Sequence, residues 1–256
     1  MKLHEMLVSA AGKNAGGPWM RFECASRTDV GLKRKINEDS IYADPERGLW
    51  VVADGMGGHE AGEVASAMVV DALRSVPDCD DLDEFADRAI EAVQRTNGQL
   101  IQLARSGERQ QTIGTTVVGL AVANGAFRCF WMGDSRAYLL RGGRLERVSH
   151  DHSLVQNLID AGMLKPEDAE AHENANLITR AVGVADKAEV DLVAGEALPG
   201  DLFLLASDGL TRVVPDDELA AELERSSPAE VADRLIETVL ARGAPDNVSL
   251  IIAKVL

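Results

Sequence analysis

Two apolar runs in this chain end in Asp-Gly: Leu49-Trp50-Val51-Val52-Ala53-Asp54-Gly55 and Leu202-Phe203-Leu204-Leu205-Ala206-Ser207-Asp208-Gly209. Each reads as a buried strand, and rigid backbone at the end of such a strand can aim a carboxylate at a fixed point. Three further acidic clusters accompany them: Asn37-Glu38-Asp39, Gly133-Asp134-Ser135-Arg136 and Pro245-Asp246-Asn247. Taken singly, Asp-Gly after an apolar run, or Asp-Asn after Pro, is a common turn. Their joint occurrence predicts a metal site built from scattered acids. Carboxylates and a backbone carbonyl are hard oxygen ligands, so Glu38, Asp39, Asp54, Asp208 and Asp246 select Mg²⁺ or Mn²⁺ over zinc. Packed together without cations they would repel and take up protons. Two divalent ions can bridge one water, lower its pKa and hold it in line with a phosphorus or carbonyl centre. Phosphate esters suit this chemistry best, because metals and an arginine can clamp the charge that spreads over the oxygens. Arg34, four residues before Glu38, is the candidate clamp.

Bulk properties narrow the function. The formal net charge is −16 over 256 residues, which argues against a general nucleic-acid binder. Residues 1–35 hold seven Lys/Arg and three Asp/Glu, so this stretch is +4 and the remainder −20. A body this acidic cannot steer an anionic substrate by its own charge, which again favours bound cations. Cys24, Cys79 and Cys129 are odd in number and widely spaced, with no C-x-x-C pair, so a reducing cytoplasm is expected. No stretch approaches the ~18 apolar residues of a membrane span, and no membrane association is expected.

Other phosphoryl chemistries fail on spacing. A cysteine phosphatase needs five residues between Cys and Arg, whereas Cys129 and Arg136 have six between them. Asp78-Cys79-Asp80-Asp81-Leu82 approaches an aspartyl-phosphate motif, but reads as solvated loop. No Walker loop and no G-x-G-x-x-G is present.

The elements that must position the acids are strands near 21–28, 40–44, 48–54, 114–123, 126–132, 135–141, 188–193, 201–207 and 247–255. Ala61, Val64, Ala65, Met68, Val69, Ala72 and Leu73 keep helical spacing, as do Phe85, Ala89, Ala92, Val93, Leu100 and Ala104. Two more helices are expected near 216–224 and 228–242, and a short one in 154–159. Helices in pairs and strands in runs predict an α+β fold with antiparallel sheets.

The order of the clusters resembles the metal-dependent Ser/Thr protein phosphatases of type 2C, in their bacterial form. The residues that carry the resemblance are Asp29–Ser40 (DVGLKRKINEDS), Val51–His59 (VVADGMGGH), Gly114-Thr115-Thr116, Gly133–Arg136 (GDSR), Ala206–Leu210 (ASDGL) and Pro245-Asp246-Asn247. The resemblance implies a four-layer α-β-β-α sandwich, two antiparallel sheets flanked by helix pairs. Residues 1–20, with Gly16-Gly17-Pro18 near their end, read as a flexible N-terminal arm, and the resemblance implies a single phosphatase domain over 21–256 with a flap at about 150–183. By position, Asp54 would bridge two Mn²⁺ or Mg²⁺ ions, Asp208 and Asp246 would complete one, and Glu38 with the Gly55 carbonyl the other. Asp39 and Asn247 match supporting positions. Asp134 with Asp208 matches the ligands of a third, weaker metal. Arg34 matches the phosphate-binding arginine, and His59 a general acid for the leaving oxygen. Glu173 stands where many members carry Pro after the flap histidine. His150, His152 and His172 are expected at caps and on the surface, with no metal. The activity implied is hydrolysis of phosphoserine and phosphothreonine on proteins by a metal-bridged water, by a monomer opposing a bacterial Ser/Thr kinase. A scaffold with a degenerate site should have lost an acid, and every expected acid is present.

Overall fold

The structure is a computed structural model that describes residues 10–11, 20–57, 61–106 and 112–256. His59 and most of the expected arm therefore lie outside the described residues.

The strands are β1 (Ala10–Ala11), β2 (Arg21–Asp29), β3 (Asp39–Asp44), β4 (Leu49–Met56), β5 (Gly114–Thr115), β6 (Val117–Ala123), β7 (Ala126–Met132), β8 (Arg136–Arg141), β9 (Arg144–Arg147), β10 (Asp191–Glu196), β11 (Leu202–Ala206) and β12 (Val248–Val255). The helices are α1 (Ala61–Arg74), α2 (Leu82–Ser106), α3 (Leu154–Asp160), α4 (Asp208–Thr211), α5 (Asp216–Leu223) and α6 (Pro228–Ala241). One sheet runs β1-β2-β12-β11-β8-β9 and the other β10-β7-β6-β4-β3, with β5 paired to β4. Every pairing is antiparallel.

The apolar runs explain the layering. A strand buried on both faces needs apolar side chains at every position rather than at alternate ones. In β4, Trp50 and Val52 face the other sheet, where they join Phe203, Leu205, Ile251 and Ala253. Leu49, Val51 and Ala53 face the opposite way, into a second core with Val69, Leu73, Ala89 and Val93 of α1 and α2. In β11, Leu202, Leu204 and Ala206 enter a third core with Leu219, Val231, Leu235 and Val239 of α5 and α6. Three apolar layers separate four layers of structure, as expected from the family resemblance.

Three elements depart from expectation. The strand placed at 188–193 lies at Asp191–Glu196, in register with β7. β9 is an edge strand reached through Gly142-Gly143, whose φ values of 57° and 80° make a tight hairpin turn that glycine adopts without cost. α4 begins on Asp208 itself, so the second Asp-Gly opens a helix rather than a turn. Asp78 pairs with Arg47 and Asp81 accepts the N–H groups of Asp83 and Glu84, so the near-motif at 78–82 is a surface loop that caps α2. No helix among the described residues is long and apolar enough to cross a membrane.

Candidate active site

The acids gather where the two sheets share an end. Asp39 opens β3 and lies opposite Asp54 in β4. The Glu38 carbonyl accepts the Gly55 N–H at 3.0 Å and the Ser66 hydroxyl at 2.6 Å, fixing the turn into β3 against β4 and α1. The Glu38 carboxylate lies against Gly62 at the start of α1, the favourable end of a helix for a negative charge. A Cβ on Gly62 would lie 2.4 Å from Glu38 Oε1, so only glycine leaves room for that carboxylate.

Asp246 and Asn247 precede β12. Asn247 is a clamp. Its Oδ1 accepts the Glu38 N–H at 2.8 Å, and its Nδ2 donates to the carbonyls of Val30 at 2.9 Å and Ile36 at 3.0 Å. Arg34, on the loop so held, donates to Asp246 Oδ2 at 2.7 Å. Asp208 heads α4, and the preceding Ser207 donates its hydroxyl to Asp39 Oδ2 at 2.9 Å. The other Asp39 oxygen is buried without a hydrogen-bond partner.

Gly114-Thr115-Thr116 braces the centre. Thr116 donates its N–H to the Asp54 carbonyl at 2.8 Å, accepts the Asp54 N–H on its hydroxyl at 3.1 Å, and bonds the Ser135 hydroxyl at 2.7 Å. It ties the Asp54 strand to the Gly133-Asp134-Ser135 turn. That turn is also held from the segment at 150–183, because the Gly133 N–H donates to His152 Nδ1 at 3.1 Å. His152 is buried, not on the surface as expected, and its Nε2 lies 3.2 Å from Asp191. His150 is the exposed member, paired with Asp160. The roles of Thr116 and His152 could be read only as motif membership, since their partners are distant in the chain.

The electrostatics are those of acids forced together. Asp208 is the charge that bears most strongly on Asp54. Burial, then the charges of Asp208, Asp39, Asp134 and Asp246, pushes Asp54 far above the usual carboxylate range, although the residue keeps a partial solvent edge. Burial, then Asp208, pushes Asp134 up to about 7. Burial also pushes Asp39 up to about 7, against the pull of the Ser249 and Ser207 hydroxyls. Asp208 and Glu38 are raised, again chiefly by burial. Among the described residues no three acidic, imidazole or thiol groups close on one point; the acids face one another across a shared space. Hard oxygen donors, mutual repulsion and an orphaned carboxylate oxygen all fit bound divalent cations.

A cavity of about 240 Å³ adjoins the acids, lined by Asp134, Asp208, Arg136, Asp151, Asn176 and Arg212 among others. Arg136 is held by Asp151 through both carboxylate oxygens. Arg212 spans the cavity: it pairs with Asp208 Oδ2 at 3.2 Å, donates to the Ala175 carbonyl at 2.8 Å, and bonds the Asn176 side chain. It joins the acid cluster to residues 175–176. Arg212→Gln should release that segment, raising protease cleavage or amide exchange across 165–178 by about tenfold while leaving β11 and β12 protected; unchanged exchange would show that the segment is held elsewhere.

Comparisons with known proteins place the sequence and the fold in a family. The profile of the family described as Protein phosphatase 2C matches residues 33–249. The chain is 39% identical over 232 residues to the serine/threonine protein phosphatase PstP of Mycobacterium tuberculosis, covering 91% of this chain but only 45% of that protein. This chain therefore spans about half the length of that relative. Among solved structures it resembles PppA, a key regulatory component of T6SS in Pseudomonas aeruginosa, with a TM-score of 0.83 and 41% identity over 92% of this chain and 98% of that one. It also resembles the catalytic domain of PstP in complex with two manganese ions, with a TM-score of 0.83 and 38% identity over 92% and 98% of the two chains. The chain belongs to the protein phosphatase 2C family, whose members include metal-dependent enzymes.

Proposed function

We propose that the chain hydrolyses phosphoserine and phosphothreonine esters on proteins, acting opposite a Ser/Thr kinase in the cytoplasm. The observation that carries this reading is the convergence of Asp39, Asp54, Asp134 and Asp208, four acids whose carboxyls are all raised by burial. Such an arrangement is costly to folding unless cations occupy it. Glu38, Asp54, Asp208, Asp246 and the Gly55 carbonyl would hold two Mn²⁺ or Mg²⁺ ions, and Asp134 with Asp208 a third. When bound, the ions supply charge neutralisation at the phosphoryl oxygens and a lowered pKa for the attacking water.

The remaining work falls to the chain. Arg34 keeps a half-exposed guanidinium beside Asp246, with N–H groups left over for the phosphoryl oxygens. Asp39 and Asn247 hold the acid-bearing loops in place rather than touching substrate. His59 is assigned proton delivery to the leaving serine or threonine oxygen. The cavity beside Asp134 and the segment at 150–183, the proposed flap, offer the surface on which a protein substrate would lie.

The reading is tested with a substrate panel in Mn²⁺. Phosphothreonine and phosphoserine peptides should be turned over at least about tenfold more efficiently than nucleotide or sugar phosphates. The reverse order would assign the site to small phosphoesters.

A further inference from the structure

The loop from Val30 to Glu38 carries the sequence Leu32-Lys33-Arg34-Lys35-Ile36, a basic turn beside a cluster of acids. This turn is rigidly mounted. Asn247 holds the carbonyls of Val30 and Ile36, the Leu32 N–H donates to the Ala244 carbonyl at 3.0 Å, and the Asn37 side chain donates to Thr28 at 2.7 Å. Gly31, at a φ of +73°, lets the loop lie against the 244–246 turn, where a Cβ would stand 2.2 Å from the Asp246 carbonyl. The three cations differ in what they face. Arg34 is engaged by Asp246. Lys33 and Lys35 are exposed, and neither makes an ion pair among the described residues. They sit on either side of the residue assigned to the phosphate, on a chain whose residues beyond 35 carry −20.

Resting on the function proposed above, we propose that Lys33 and Lys35 are specificity residues that select phosphopeptides bearing acidic side chains next to the phosphorylated residue. The acidic body repels such peptides at long range, and a pair of unpaired ammonium groups on the turn that carries Arg34 reverses that preference locally. Each contact is solvent-exposed, so its contribution is modest and screened by salt. The exposed Leu32 and Ile36 flank the pair and add apolar surface without charge discrimination.

The test compares phosphothreonine peptides with Asp or with Asn at the flanking positions, on the wild type and on a Lys33→Gln/Lys35→Gln variant. Hydrolysis of p-nitrophenyl phosphate should be unchanged in the variant, since that substrate has no flanks. In the wild type at low salt the acidic peptide should have a KM about three- to tenfold lower with kcat unchanged. In the variant that preference should be lost, because the two ammonium groups that carry it are gone while Arg34 and the bound cations act on both peptides alike. Fluorescence anisotropy with the same peptides carrying a non-hydrolysable phosphonate, in Mn²⁺, should give the same ranking, lost by 0.5 M salt. Equal affinity for both peptides in the wild type, or a preference that survives in the variant, overturns the proposal. Absent turnover with the anisotropy ranking intact would instead overturn the phosphatase reading and leave the charge selection standing.

Discussion

Asp54→Asn and Asp208→Asn should each lower kcat by on the order of 10³-fold or more, about 4 kcal/mol of transition-state stabilisation, and should at the same time stabilise the metal-free protein. The two effects share one cause. Asp54 is held among Asp208, Asp39, Asp134 and Asp246, and its carboxyl is raised well out of the ordinary range. An amide of the same shape removes the repulsion that folding works against, so the melting temperature in chelator above pH 7 should rise by a few degrees, roughly what 1 kcal/mol gives at this size. It also removes the charge that would hold a cation. Functional sites are where such trade-offs concentrate. A variant that loses activity and also melts lower in chelator would mean that the carboxylate is structural, and would count against the cation-binding account.

The second expectation concerns pH. Asp39 and Asp134 are each raised to about 7, burial being the first cause in both. In the unfolded chain they would titrate near an ordinary carboxylate value of ~3.9. Between those values the folded protein holds more protons than the unfolded one, so stability falls as pH rises. Their contribution is fully present below about pH 4 and is lost as pH climbs through 7. Chelated protein should therefore melt progressively lower from pH 5 to pH 8, and Mn²⁺ should remove most of that slope by stabilising the ionised acids. Metal affinity should fall below pH 7 for the same reason, because binding must displace protons. Melts in chelator and in Mn²⁺ across this range check both statements, and a chelated protein that grows steadily more stable towards pH 8 would contradict them. The carboxyls of Asp83 and Asp160 are held low by partners, but they lie in solvent, where screening leaves them little influence; that of Glu222 is held low by Arg234 and Arg225.

The parts of this site that the sequence displays are those where local pattern and function coincide. Asp54 and Asp208 could be found because each closes an apolar run too continuous for a half-exposed strand, and those runs proved to be β4 and β11, buried on both faces. The helices α1, α2, α5 and α6 declared themselves by periodicity. Less legible were elements whose identity is set by neighbours. β9 has only one apolar side chain in Arg-Leu-Glu-Arg, although Gly142-Gly143 is a two-residue hairpin signal that could have located it. α4 was hidden because Asp-Gly reads locally as a turn. Its first helical residue is the acid itself, and the Gly209 Cα passes so close to Asn247 that a Cβ would fall 1.8 Å from that residue's carbonyl oxygen. His152 looked like a surface histidine because its partners, Gly133 and Asp191, are 19 and 39 residues away. Arg212 gave no signal at all, since its role depends on a carbonyl and an amide brought to it by a different segment.

Two thiols underline how the charged site differs from the interior. Burial pushes Cys24 up to about 11 and Cys129 up to about 12, so both are inert fillers of the inter-sheet core. The same desolvation applied to carboxylates raises the acids at the end of the sandwich instead.

The central claim is that these acids work by holding cations for phosphoryl transfer, and the most direct measurement is phosphate release from a phosphothreonine peptide after metal is stripped and then restored. Release should be absent in chelator, return with Mn²⁺ or Mg²⁺ in excess, and stay absent in Asp208→Asn under both conditions. Turnover that persists in chelator, or a folded wild-type protein that releases no phosphate with either metal, would contradict the account.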